Sequence, residues 1–219
     1  MTEIKAIKYY YYDDKTIRFV AFKREFRGKH GIWTGFVDKT ANKAFTIKIP
    51  DNLRIPAIIE AEIKDMKILA DGTALNIGEY RKTIDVDKFI ESVPKVKTYA
   101  GIVVREIPEH IYRTTKHFAV VPQSFVVQTT ADKMMCKAPS IADNIRLGMC
   151  AEVLVDAYVE KERKSLRGLI IRPLPFDEAM ERIKQEFVIM DPKKINRDRL
   201  SVFLQGLTKK IPVIGGEQE

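Results

Sequence analysis

Along residues 16–26, TIRFVAFKREF, Ile17, Phe19 and Ala21 alternate with Arg18, Val20 and Phe22. Period-two alternation among β-branched and aromatic residues marks a strand. Residues 3–12 read as its partner across a tight turn at Asp13–Asp14–Lys15. That partner holds four consecutive tyrosines, Tyr9 to Tyr12. In a strand, Tyr9 and Tyr11 share one face and Tyr10 and Tyr12 the other, so at most two can serve one surface. Residues 32–40 and 44–49 form a hairpin pattern, and Pro50–Asp51–Asn52 ends it. Residues 57–69 fit either period, but the Ala70–Asp71–Gly72 turn and the β-branched content favour a strand. Another strand follows over 74–84, with a bend at Gly78.

Residues 85–95 predict a short helix or linker with an Asp cap and an end near Pro94. The β pattern then resumes. Strands are expected over 98–107, twice within 117–130 on either side of Pro122–Gln123, within 141–162, and over 165–174. Helical spacing returns in 175–187, with Asp177 as cap, and in 191–207, with Pro192 at the first helical position. These helices would brace the β structure or pack on a second copy of the chain.

A degenerate repeat runs through the β region. WTGFV (33–37) matches YAGIV (99–103), and DNLRIPAIIEAEI (51–63) matches DNIRLGMCAEVLV (143–155). Each copy ends in a closing strand, ALNIGEYRKTI or SLRGLIIRPL. About five strands per copy is the size of a five-stranded Greek-key barrel, the OB-fold. Gly35 and Gly101 would sit where a coiled first strand bends. The expectation is a mainly β chain: two small five-stranded OB-like barrels in tandem with C-terminal helices. Residues 1–92 would hold the N-terminal hairpin and first barrel, 93–175 the second barrel, and 176–219 the helical extension. A single β-sandwich is the rival architecture.

Charge changes the picture more than composition does. Of a net charge of +8, +7 lies within residues 15–48. Lys15, Arg18, Lys23, Arg24, Arg27, Lys29, Lys39, Lys43 and Lys48 there face only Glu25 and Asp38. Concentrated positive charge is the footprint of a polyanion binder. In residues 23–36 the cations alternate with Phe26, Trp33 and Phe36. Single-strand binders combine cations that follow phosphates with flat side chains that stack on bases. Arg18, Lys23, Arg24, Arg27 and Lys29 are the candidate phosphate contacts. Trp33, Tyr9 and Tyr11 are the candidate stacking residues, although Trp33 and Phe36 also suit a core. Tyr99, Arg105, Arg113, Lys116 and His117 form a weaker set in the second copy.

A rival chemistry lies in Asp51, Glu62 and Lys64, which have the order of a PD…ExK nuclease. There, two carboxylates hold Mg²⁺ and the lysine activates water. The second copy repeats Asp143 and Glu152 without the lysine, so the turn reads better as shared architecture. A third reading is a β-rich viral assembly protein. No phosphate loop, dinucleotide fingerprint or Gly-x-Ser-x-Gly is present, so no enzyme and no cofactor are expected. Cys136 and Cys150 form no Cys-x-x-Cys pair, so no metal is expected and both should be reduced. Without a secretory h-region or a membrane-length apolar run, a cytoplasmic protein away from membranes is expected.

The repeated WTGFV and YAGIV segments and the basic-aromatic stretch give residues 17–174 a fold-level resemblance to OB-fold single-stranded DNA-binding proteins, especially the compact ones of phages and other viruses. The resemblance implies binding of single-stranded nucleic acid, DNA before RNA, in replication, recombination or repair. The acidic, partner-recruiting tail common in such proteins has no counterpart in LTKKIPVIGGEQE.

Overall fold

The computed structural model describes residues 10–13, 15–38, 41–93, 96–113, 117–129, 135–156 and 166–189. The chain is mainly β. Its strands are β1 (Tyr11–Tyr12), β2 (Thr16–Ala21), β3 (Arg24–Phe26), β4 (Ile32–Asp38), β5 (Lys43–Ile49), β6 (Ala57–Ile68) and β7 (Ala74–Thr83). Helix α1 (Val86–Ser92) follows, its N-terminus capped by Asp85, whose carboxylate accepts from the Asp87 N–H. Then come β8 (Lys97–Ile107), β9 (His110–Arg113), β10 (Phe118–Val121), β11 (Ser124–Thr129), β12 (Met135–Pro139), β13 (Cys150–Asp156), β14 (Leu166–Leu174) and helix α2 (Phe176–Ile189).

Strands β8, β11, β12, β14 and β13 close into a barrel, with β12 and β14 parallel and the other neighbours antiparallel. Val103, Phe125, Val127, Cys136, Val153 and Ile170 fill it. This five-stranded barrel is consistent with an OB-like unit. The other nine strands form one sheet in the order β1-β2-β6-β7-β5-β4-β3-β10-β9. That sheet curls. Phe19 of β2 and Phe36 of β4 have three strands between them in the order of pairing, yet their rings meet at 5.1 Å. Ile17, Ile32, Phe45, Ile47 and Ile59 share the same enclosed cluster. The expected 16–26 strand divides at Phe22–Lys23, so that β2 pairs with β6 and β3 with β4.

The repeat has a partial structural counterpart. Glu60 and Glu152 face Lys82 and Arg172 across the next strand, and the ladder shifts register immediately after each glutamate. A Cβ on Gly78 would lie 2.6 Å from the Glu62 carbonyl oxygen, and one on Gly168 would lie 2.6 Å from that of Leu154. Both glycines therefore mark a close backbone approach. The match of WTGFV to YAGIV is different. The first lies in β4, between β3 and β5; the second lies in β8, which spans β11 and β13. They resemble each other in composition and occupy different places.

Two apolar layers join the parts. Val20 and Ile58 of the sheet meet Leu154 and Leu169 of the barrel around Phe89 and Val93 of α1. Ala179 and Ile183 of α2 cover Ala100, Ile102, Cys150 and Leu174, so this helix braces the barrel. The expected helix over 191–207 lies outside the described residues. Cys136 and Cys150 are both buried, and neither forms a disulfide. Among the described residues no helix is long and apolar enough to cross a membrane.

Candidate nucleic-acid interface

Registered neighbours in a sheet point to the same side. Trp33 of β4 therefore lies between Glu25 of β3 and Lys48 of β5, on the face opposite the Ile32, Thr34 and Phe36 side chains. The strand has this polarity because Ile32 and Thr34 are buried while Trp33 is only half-buried. The indole is pinned: its Nε1–H donates to the His30 carbonyl at 2.9 Å, and the Arg27 guanidinium lies 5.0 Å from the ring centroid. The turn that supplies His30 is a short 3₁₀ segment, Gly28–His30, which presents Lys29 to solvent beside the indole's strand. Gly28 and Gly31, both at positive φ, let the chain reverse there.

The charges are less free than their density suggests. Glu25 pairs with both Lys23 and Arg27, the latter at 2.8 Å. Burial pushes the Glu25 carboxyl up, but hydrogen bonds from Arg27 and Lys23 outweigh it and hold the group below the usual glutamate range. The trio thus carries one net positive charge. Arg18 is also engaged: its Nε donates to Glu60 at 2.8 Å, and it covers the Tyr11 ring. Arg24 lies on the face opposite Glu25, with Phe26. Arg113 pairs with Phe118 and is exposed on that same opposite face.

The tyrosines separate by parity as alternation requires. Tyr10 and Tyr12 point inward against Phe45, and their hydroxyls donate to Asp38 and Asn76. Burial and Asp38 together raise the Tyr10 phenol above its ordinary value. Tyr11 points outward from β1, where the Arg18 guanidinium covers its ring. It packs against the layer between sheet and barrel and donates to Asp13. The Tyr11 ring is therefore already engaged within the chain. Tyr99 is also displaced from its expected role, because it packs against the barrel's interior cluster. Tyr9 and Lys116 lie outside the described residues, and His117 is exposed just before β10.

On the barrel, Arg105 is registered with Val126, Val126 with Lys137, and Lys137 with Arg167. Three cations thus share one row across β8, β11, β12 and β14. Arg105 and Lys137 are exposed, whereas the Arg167 guanidinium lies 4.3 Å from the Phe22 ring centroid. Lys137 and Arg167 went unmarked in the sequence because β12 is short and weakly apolar. The alternation of Cys136 and Ala138 inward with Met135 and Lys137 outward was the available signal.

Asp51 lies in the exposed turn after β5. Glu62 and Lys64 lie on β6, where the lysine pairs with the Glu62 carboxylate at 2.9 Å and Arg81 approaches it at 3.7 Å. The Lys64 hydrogen bond holds the Glu62 carboxyl below the usual range. Among the described residues no group of three or more His, Cys, Asp or Glu side chains could hold a metal ion. A cleft of about 540 Å³ beside the turn is lined by Asn52, Arg54, Ile58, Tyr80 and Thr83, and not by Glu62 or Lys64. No protein-family model matches the chain, and no curated protein matches it significantly.

Proposed function

We propose that this chain is a tandem of OB-like barrels that binds single-stranded DNA with little sequence preference, without catalysing a reaction on it. Its place would be in replication, recombination or repair. The order β2-β6-β7-β5-β4, with β5 and β7 parallel, repeats the order β8-β13-β14-β12-β11 of the closed barrel. In this reading β2 and β3 are one interrupted first strand, and chain continuity through Phe22–Lys23 completes the first barrel. OB-like barrels take oligonucleotides on the face of their second and third strands. Here those strands are β4 with β5, and β11 with β12.

The observation that carries the reading is Trp33, pinned on the outer face of β4 between Arg27 and Lys48. A base would stack on the indole while Lys23, Arg27, Lys29 and Lys48 approach phosphates; Arg24, on the opposite face, would not. Arg105 and Lys137 would continue the cationic track on the second barrel. Binding should weaken with salt, because phosphate neutralisation releases counterions.

The test is a titration with labelled oligo-dT, its duplex and an RNA of equal length, followed by Trp33 fluorescence at two salt concentrations. The expected result is quenching by the single-stranded DNA that fades as salt rises. Absence of binding, or an affinity indifferent to salt, overturns the reading. Defined oligomers without oligonucleotide affinity would instead mark an assembly protein, and cleavage of a plasmid with Mg²⁺ would mark a nuclease.

A further inference from the structure

We infer that Tyr112, positioned by His110, is a second base-stacking residue, and that one single strand runs from Trp33 across β3 and β10 to reach it. The inference rests on the proposed single-strand binding at Trp33 and gives that strand a path. Residues 108–123 connect β8 to β11, which are neighbours in the barrel. A short turn would join them. Instead the connection leaves the barrel as the β9–β10 hairpin and adds two strands to the sheet beside β3.

The register aligns one row of side chains. Trp33 is paired with Glu25, Glu25 with Ala119, and Ala119 with Tyr112. All four therefore face the same side of the sheet. Three strand steps of about 4.8 Å place Tyr112 roughly 14 Å from Trp33. Ala119 between them leaves the floor low, and Glu25 contributes its two cations, Lys23 and Arg27. Tyr112 is 57% exposed. Its hydroxyl lies 2.9 Å from His110 Nε2, and the two rings meet edge-on at 4.7 Å. The ring is thus oriented while its surface stays open to a flat ligand.

Strand β10 is fastened through its other face. Phe118 stacks on Phe26 at 4.4 Å with the rings 8° from parallel. A platform built before the ligand arrives avoids the entropy of assembling it.

The experiment compares Tyr112→Ala, Tyr112→Phe and Trp33→Ala on oligo-dT of about 4 and about 16 nucleotides, the limits of the site size for one such barrel. Tyr112→Ala should weaken the longer oligomer about fivefold and leave the shorter one unchanged. Tyr112→Phe, which keeps the ring and its edge-on contact with His110 but loses the hydroxyl's hydrogen bond, should weaken the longer oligomer less than Tyr112→Ala does. Trp33→Ala should weaken both. Parental binding of the longer oligomer by Tyr112→Ala, with Trp33→Ala impaired, overturns this inference alone. If neither alanine variant changes binding, the reading of the Trp33 face falls with it.

Discussion

Replacing Glu25 with glutamine is expected to tighten binding of single-stranded DNA, by about tenfold near 0.1 M salt. The carboxylate holds Lys23 and Arg27 beside Trp33. A phosphate arriving there must compete with it. Glutamine keeps the shape and removes the competing charge, which leaves two cations for the ligand. Each added phosphate contact steepens the dependence of log K on log salt by about 0.7 for a single strand. Loss of one carboxylate raises the trio's net charge from +1 to +2, so the slope should steepen by about 0.7, and the gain should shrink toward high salt. The stability cost is about 1 kcal/mol or less, because Lys23 and Arg27 are partly exposed (39% and 28%) and such pairs contribute little. Affinity measured at three salt concentrations decides it. An unchanged slope, or weaker binding at low salt, would show that the two cations do not meet the strand.

This sensitivity to one carboxylate shows what the sequence carries and what it omits. Nine cations between residues 15 and 48 can be counted, but the count does not say where Glu25 will sit. The β3–β4 register places it at the centre of the patch. The strand bounds of β6, β7 and β14 and the Asp85 cap of α1 were legible because they depend on local alternation and capping chemistry. Parity separated Tyr10 and Tyr12 from Tyr11, whereas the packing of Phe45 decided that Tyr10 and Tyr12 turn inward.

Tyr99 was not legible for a related reason. Parity identifies the outer face only when one face is polar. On β8, Tyr99 and Val103 face the barrel interior while Ala100 and Ile102 face α2. Both faces are apolar along that stretch, so the pattern gives no direction. The destination of residues 108–123 was hidden as well. Pro122–Gln123 was visible as a break between two strands, but β10 pairs with β3 more than ninety positions earlier. Such pairing is set by the whole fold. The match of WTGFV to YAGIV failed on the same ground, since five residues record composition and not neighbours. The DN-containing repeat held because it leads into β6 and β13, where Glu60 and Glu152 face equivalent cations.

Glu152 is the residue on which the barrel's stability should depend most. Its carboxylate accepts from Arg172 Nε at 2.6 Å and from Arg182 Nη1 at 2.7 Å, and so ties β14 and α2 to β13. Glu152→Ala removes the shared acceptor of two guanidinium groups, which keep only Glu178 (Arg172) and Thr98 and Glu186 (Arg182) nearby. Removing one member of a buried network costs about 3–5 kcal/mol. The partial exposure of Arg172 (49%) and Arg182 (24%) reduces this to about 2–3 kcal/mol. At about 2–4 °C per kcal/mol, Tm should fall by roughly 5–10 °C. Glu60→Ala should cost less, since its partners Arg18 and Lys82 are more exposed on average (32% and 62%) and hold no helix. The pH dependence gives an independent measure. Burial pushes the Glu152 carboxyl up, but hydrogen bonds from Arg182, Thr98 and Arg172 more than offset it, so the group titrates below the usual glutamate range. A carboxyl depressed in the folded state stabilises at pH values above the unfolded pKa. That stability is lost as pH falls through the folded value. The parent should therefore lose stability in acid faster than Glu152→Gln, whose side chain does not ionise. Denaturation at about pH 7, 5 and 3 reads the difference, and equal acid slopes in the two proteins would rule out Glu152 as its source. In Glu152→Ala, proteolysis within α2 should outpace global unfolding, because the helix loses its charged tie to β13 and keeps the apolar contacts of Ala179 and Ile183, the Arg172–Glu178 pair and the hydrogen bonds of Arg182 to Thr98 and of the Ala100 N–H to Glu186.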